Sequence, residues 1–346
     1  MADVLTHVAR PELLDLPSVA HGSVSAAELR EFGLRPDQVL DFSVNTNPLG
    51  PAPVVLEAIR QADWTRYPGD DEAPLRLGLA RQARVDPSQV ALGNGSAELM
   101  WLVCLAVLRP GDCVSLLGPT FGEYARVARA VGAELVETSE LQPARLGFVC
   151  NPNNPTGTYL DRAEVEAMLA DDPRRVLVLD EAYVGFLEDA WRSEPLLGAY
   201  PNLVLLRSLT KDHAVPGLRL GYLLAAADLV RAIEAVRPPW SVNAGALRAG
   251  LAALSPEAAA HLSRARALVA TARRLLSDGF AERGYPVTPS RANFVLVDVG
   301  DARAFRRSLL PRGLVVRDCT SFGLPEHVRI ACRLPDECQR LLDALA

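Results

Sequence analysis

The chain has 346 residues, 49% of them hydrophobic and 23% charged, with a net charge of −6; that is long enough for a large core and two domains, with an ordinary soluble composition. The acidic balance, with no basic tract, argues against nucleic acid as a partner, and no apolar run reaches membrane-spanning length or forms a signal peptide. Six scattered cysteines without a C-x-x-C pair argue against zinc or a disulfide framework and point to a reducing, cytoplasmic setting.

In chain order, residues 1–45 read as an N-terminal arm carrying His21-Gly22 and a short helix over 26–32. The arm runs into Asp41-Phe-Ser-Val-Asn-Thr-Asn-Pro-Leu-Gly50, where Asn45 and Asn47 serve either as turn residues or as polar groups of a site. A helix follows over 52–62, and then a loop presents the hydroxyl of Tyr67. A strand over 90–92 enters Gly93-Asn94-Gly95-Ser96-Ala97-Glu98, and an apolar helix continues to about 108. Strand, glycine turn and helix aim free backbone N–H groups at an anion, although many such turns are glycine-rich for steric reasons alone.

Further strands are expected at 114–117, 146–150 and 176–179. They lead into Gly118-Pro-Thr-Phe121-Gly-Glu-Tyr124, Asn151-Pro-Asn-Asn154-Pro155-Thr156-Gly157 and Asp180-Glu181-Ala182-Tyr183. Strands alternating with helical stretches predict an α/β fold with a mostly parallel, doubly wound sheet, and each polar cluster falls at a carboxyl strand end. Beyond 224 a helix leads to Pro239-Trp-Ser-Val-Asn243. A long helix spans 256–280, and strands at 294–298, 315–317 and 328–330 suggest a smaller α+β domain. The divisions expected are an arm over 1–45 packing on the small domain, a large domain over 46–250 and a small domain over 251–346.

Among 36 lysine and arginine residues only one is a lysine, Lys211. Arginine replaces lysine at most solvated positions but not where a neutral amine must attack a carbonyl, so Lys211 is a candidate for imine chemistry. It follows the apolar run 203–206 and lies close to Ser208 and Thr210. Gly217, Arg219 and Gly221 come after it, ahead of a second apolar run. Hydroxyls, one amine and one arginine between two buried strands suit a phosphate-bearing aldehyde.

This segment resembles the pyridoxal-phosphate (PLP) lysine motif of the class I/II aminotransferase family. With Asn154-Pro-Thr-Gly157 and Asp180-Glu-Ala-Tyr183 in the same order, the likeness covers nearly the whole chain. It implies a PLP-dependent transferase of fold type I. Pyridoxal chemistry needs an amine, supplied by Lys211, and an anion at the pyridine nitrogen, supplied by Asp180. Asn154 and Tyr183 serve the ring oxygen, and Gly95, Ser96, Ala97, Ser208, Thr210 and Arg219 the phosphate. Taken alone, Asp180-Glu181 can also be read as a helix start or a surface ion pair.

By the resemblance, Phe121 stacks on the ring and Tyr67 reaches the partner's cofactor phosphate, so a homodimer is implied. Arg317 and Arg329 take the substrate's phosphate and carboxylate, with His21 and Asn45 at its polar end. No metal is expected. Two subgroups are closest, threonine-phosphate decarboxylases of cobalamin synthesis and histidinol-phosphate aminotransferases. His21-Gly22, the 41–50 stretch, Leu206-Arg-Ser-Leu-Thr-Lys211, Pro239-Trp-Ser-Val-Asn243 and Arg333 lean toward the decarboxylase.

Overall fold

A computed structural model of the chain describes residues 10–19, 22 and 24–345. Thirteen strands appear among them. In chain order they are β1 (Leu40–Asp41), β2 (Val90–Asn94), β3 (Cys113–Leu117), β4 (Glu134–Thr138), β5 (Leu146–Cys150), β6 (Val176–Asp180) and β7 (Leu203–Ser208). They continue with β8 (Leu220–Ala225), β9 (Val287–Thr288), β10 (Phe294–Asp298), β11 (Leu314–Val315), β12 (Arg317–Asp318) and β13 (His327–Ala331).

Seven strands form the large sheet, in the order β2-β8-β7-β6-β5-β3-β4. β4, β3, β5, β6 and β7 run parallel, and β8 is antiparallel to both its neighbours. β5 and β6 are buried along their whole length, as continuous apolar runs covered by helices on both faces should be. The period of two then sorts their side chains. Phe148, Val176, Val178, Val204 and Leu206 pack on one layer, with Leu99 and Tyr124 from the helices Gly95–Val107 and Glu123–Ala130. Val149, Leu177, Leu179, Leu203 and Leu205 pack on the other, with Leu79 and Leu247 from the helices Glu72–Ala83 and Ala244–Ala253. Each such aliphatic side chain contributes roughly 1.5–3 kcal/mol of burial. The same parity puts Cys150, Asp180 and Ser208, the last residues of three adjacent strands, on the first face. That places the site.

The second sheet, β12-β13-β10-β9, is antiparallel and packs with the helix Pro256–Glu282 in a separate core that includes Phe42, Leu276, Phe280, Val295 and Ile330. Ser255 caps that helix and Pro256 occupies its first turn, where a missing N–H costs nothing. β1 pairs in parallel with β11, Leu40 opposite Leu314, and the next residue continues the contact, with Ala331 N–H donating to Phe42 O at 2.8 Å. The chain then passes from this sheet to the lysine turn: Asn47 N–H donates to Lys211 O at 3.0 Å, and Asn47 Nδ2 to Asp212 O at 2.9 Å.

Expected element positions hold within a few residues. The expected strand at 315–317 is instead split into β11 and β12, because the chain leaves one pairing partner for another at Val316. β4 was not anticipated. Its run Glu-Leu-Val-Glu-Thr is half-exposed at the sheet edge and too polar to stand out.

Candidate active site

A cavity of about 530 Å³ opens where the carboxyl ends of β5, β6 and β7 meet the second sheet. Lys211 enters it from the four-residue helix Leu209–Asp212, capped by Ser208, whose hydroxyl lies 2.8 Å from Thr210 Oγ1. The lysine Nζ sits 5.1 Å from the ring centre of Tyr183.

Asp180 ends β6 with 3% exposure. It accepts hydrogen bonds from Tyr124 Oη at 2.7 Å and Ala182 N–H at 3.0 Å. Burial pushes its carboxyl above the ordinary range, while the Tyr124 hydroxyl, the Lys211 charge and the Ala182 N–H act against that rise. Tyr124 is fully buried, raised well above its usual value, and so acts as a neutral donor. It stacks on Phe148 at 4.7 Å and meets Phe121 edge-on at 5.6 Å. Phe121 in turn lines the cavity.

At one end the lining includes Ser96, Ala97, Thr210 and Arg219. Gly95 lies behind them with φ +77°, and a Cβ there would stand 2.6 Å from Arg219 Nη2, so only glycine admits the guanidinium. Ser208 holds Thr210 from outside the lining.

The opposite end is basic. Arg329, 5% exposed, donates to Asn154 Oδ1 and, at 2.8 Å, to Ser43 O. Turned to face it, the amide oxygen of Asn45 accepts from Arg329 Nε and Nη1 at 3.2 Å. Arg317 lies over Phe322 and donates to Ser321 Oγ at 2.7 Å. Burial, reinforced by the charge of Arg329, lowers the proton affinity of Arg317.

Of the residues named from sequence, Lys211, Asp180, Tyr183, Ser96, Ala97, Phe121, Asn154, Thr210, Arg219, Asn45, Arg317 and Arg329 line this one cavity. Gly95 and Ser208 support it. Tyr67 stands apart: it is 78% exposed and stacked on Trp240 at 4.4 Å. His21 lies outside the described residues. Asn45 and Asn47 divide the alternatives between them, since Asn45 faces the cavity while Asn47 fastens the lysine turn.

Sequence reasoning missed Tyr124, Trp101, Glu123, Arg126 and Phe322, all on the wall. Tyr124 had a signal, because it follows Phe121 by three residues at a helix start and so shares its face. Two features that leaned toward the decarboxylase are scaffold. Asn243 caps the helix Ala244–Ala253 and donates to Leu218 O at 2.8 Å. Arg333 is occupied by Glu337 and the carbonyl of Asp41.

No cluster suited to a metal ion occurs among the described residues, and no helix there is long and apolar enough to cross a membrane. The donor set does fit pyridoxal phosphate. It joins an amine, a buried carboxyl, an aromatic face and an arginine beside a helix N-terminus.

The sequence profile of the aminotransferase class I and II family matches residues 37–345. Histidinol-phosphate aminotransferase 2 of Pseudomonas fluorescens (strain Pf0-1) is 37% identical, over 98% of this chain and 96% of its own. Among solved structures, histidinol-phosphate aminotransferase from Sinorhizobium meliloti in complex with pyridoxal-5'-phosphate superposes with a TM-score of 0.86 and 26% identity, over 97% of this chain and 96% of that one. L-threonine-O-3-phosphate decarboxylase from Porphyromonas gingivalis superposes with a TM-score of 0.75 and 28% identity, over 84% of this chain and 91% of that one. With that profile filling most of its length and such relatives matching it end to end, the chain belongs to the class I and II aminotransferases and is a PLP-dependent enzyme of fold type I.

Proposed function

We propose that this enzyme transfers the amino group of histidinol phosphate to 2-oxoglutarate. The observation that carries the reading is the likeness to histidinol-phosphate aminotransferases along 98% of the chain; the decarboxylase likeness is structural and covers less of it. The basic end of the cavity supports it. Arg317 and Arg329 suit the phosphate of the amino donor in one half of the cycle and the carboxylates of the acceptor in the other.

When bound, the cofactor supplies an electron sink for the bonds at the substrate's Cα. Lys211 holds it covalently and then moves a proton at that carbon. Asp180, kept in place by Tyr124, holds a proton at the pyridine nitrogen, and its burial makes that shared proton the favourable way to carry its charge. Asn154 and Tyr183 serve the ring oxygen, and Phe121 covers the ring face. Ser96, Ala97, Thr210 and Arg219, backed by Gly95 and Ser208, take the phosphate at the helix N-terminus.

We read the enzyme as a homodimer in which the exposed Tyr67 reaches the cofactor phosphate of a second copy. Its free thiols, five of the six buried, suit a reducing cytoplasm.

The arginines would decide the reaction by orientation, by setting which bond at the substrate's Cα faces the electron sink. Transamination needs Cα–H in that position; decarboxylation needs the carboxylate there. Incubation with histidinol phosphate and 2-oxoglutarate is expected to yield glutamate, while threonine phosphate releases no carbon dioxide. Carbon dioxide from threonine phosphate, with no glutamate from the first pair, reverses the assignment.

A further inference from the structure

The residue after the lysine has no part in the site as described, yet it occupies a costly position. Asp212 ends the helix Leu209–Asp212 and sets its carboxyl against Gly185 in the turn Val184–Phe186. A Cβ on Gly185 would stand 2.2 Å from Asp212 Oδ2 and 2.7 Å from Oδ1, so the approach is possible only against glycine. The residue as a whole is half-buried, but Oδ1 is sealed from solvent and meets no hydrogen-bond partner. Arg266, from the helix Pro256–Glu282, donates to Gly185 O at 2.6 Å and closes the junction from the third side.

Lys211 and Asp212 therefore grip one segment from two directions. Lys211 lies over Tyr183, and Asp212 lies against Gly185 two residues on. Their carbonyls are both held by Asn47. A carboxyl with a sealed, unpartnered oxygen is a liability that asparagine or alanine would lessen, so packing does not explain the residue.

We propose that Asp212 is a positioning residue for Lys211: its carboxyl locks the lysine helix onto the Tyr183 turn, and its charge sets how firmly the lysine nitrogen holds a proton. The charged and titratable groups facing it are Arg266 from the long helix, Lys211 beside it, Arg207 from β7 and Tyr222 from β8. Burial pushes the Asp212 carboxyl up to about 7, with the three cations restraining the rise. Its charge therefore appears across the neutral range, and only then does it favour a protonated lysine nitrogen. This inference rests on Lys211 as the cofactor-bearing residue.

The test uses the holoenzyme and the pH dependence of its visible absorbance, which reports protonation of the lysine nitrogen. In Asp212→Asn the midpoint is expected to fall by roughly one pH unit. Asp212→Ser, which leaves space instead of filling it, is expected to shift the same way and guards against a folding defect in the first variant. A second readout is independent of the cofactor. The folded carboxyl holds its proton more tightly than the ordinary value of 3.8. Its stabilising contribution is therefore complete at low pH and lost as the pH rises through about 7. The melting temperature of Asp212→Asn should accordingly gain on wild type between about pH 4 and about pH 7 and run parallel above that.

Borohydride fixation of the cofactor onto Lys211 in wild type and variants, with unchanged midpoints and parallel melting curves, overturns the inference and leaves the reading of Lys211 intact. Failure of fixation in wild type overturns both.

Discussion

The two ends of the cavity, which we read as a cofactor end and a substrate end, are built in different ways. The cofactor end stands on adjacent parallel strands. There β-sheet parity alone brings Cys150, Asp180 and Ser208 to one face, and the buried Tyr124 locks the central carboxyl. The substrate end is assembled from remote pieces: Asn45 from the arm, Asn154 from the loop after β5, Arg317 and Arg329 from the second sheet. The first end is buried and backed by strands, which suits one chemistry. The second is polar and convergent, and in our reading orientation there selects the bond at Cα that breaks. Changes at the cofactor end should therefore lower turnover itself, whereas changes at the substrate end should act mainly through substrate binding.

The largest expected effect is at the lysine. Lys211→Arg keeps the charge but cannot form an imine, so turnover should fall by at least ~10⁴-fold and borohydride should no longer fix the cofactor. Since the chain has one lysine, peptide mapping is unambiguous apart from the terminal amine. Asp180→Asn comes next. It should retain the yellow cofactor but lose turnover by on the order of 10²–10³-fold, because the electrostatic support at the pyridine nitrogen is gone. Near-normal turnover in this variant would show that the cofactor end does not work through this carboxyl.

At the other end, Arg329→Ala should keep its colour and lose about 2–5 kcal/mol in kcat/KM, chiefly by weakening substrate binding, since a buried charged partner is removed from the anion it meets. Loss of the cofactor with that substitution would break the division between the two ends. The smallest effect is expected for Tyr124→Phe, which removes one charge-assisted hydrogen bond from Asp180 and should lower kcat about tenfold with little change in KM. A change confined to KM would move Tyr124 from the cofactor end to the substrate end.

The same division explains what the sequence made legible. Lys211, Asp180, Asn154 and Arg219 were readable because each ends, follows or immediately precedes an apolar run, so local pattern predicts both strand and site. The strand parity that faces Asp180 toward Tyr124 follows from the alternation Val176, Val178, Asp180. Phe322 and Arg126 were not readable. Nothing near them in the chain signals a cavity, and they reach its wall only through tertiary packing. Motifs can also be legible and misleading. Pro239-Trp-Ser-Val-Asn243 pointed to a substrate, whereas Asn243 caps a helix and ties it to the loop before Arg219. Residues 40–42 meet β11 through one short parallel pairing and β13 through the Phe42 carbonyl, contacts that no hydrophobic pattern encodes.

The most direct test of the account is the isolated half-reaction. Holoenzyme mixed with histidinol phosphate alone should bleach its yellow absorbance stoichiometrically, with one amino group taken up per site, and 2-oxoglutarate should then restore the colour. Colour unchanged by histidinol phosphate, with carbon dioxide released from threonine phosphate by the same preparation, would contradict it.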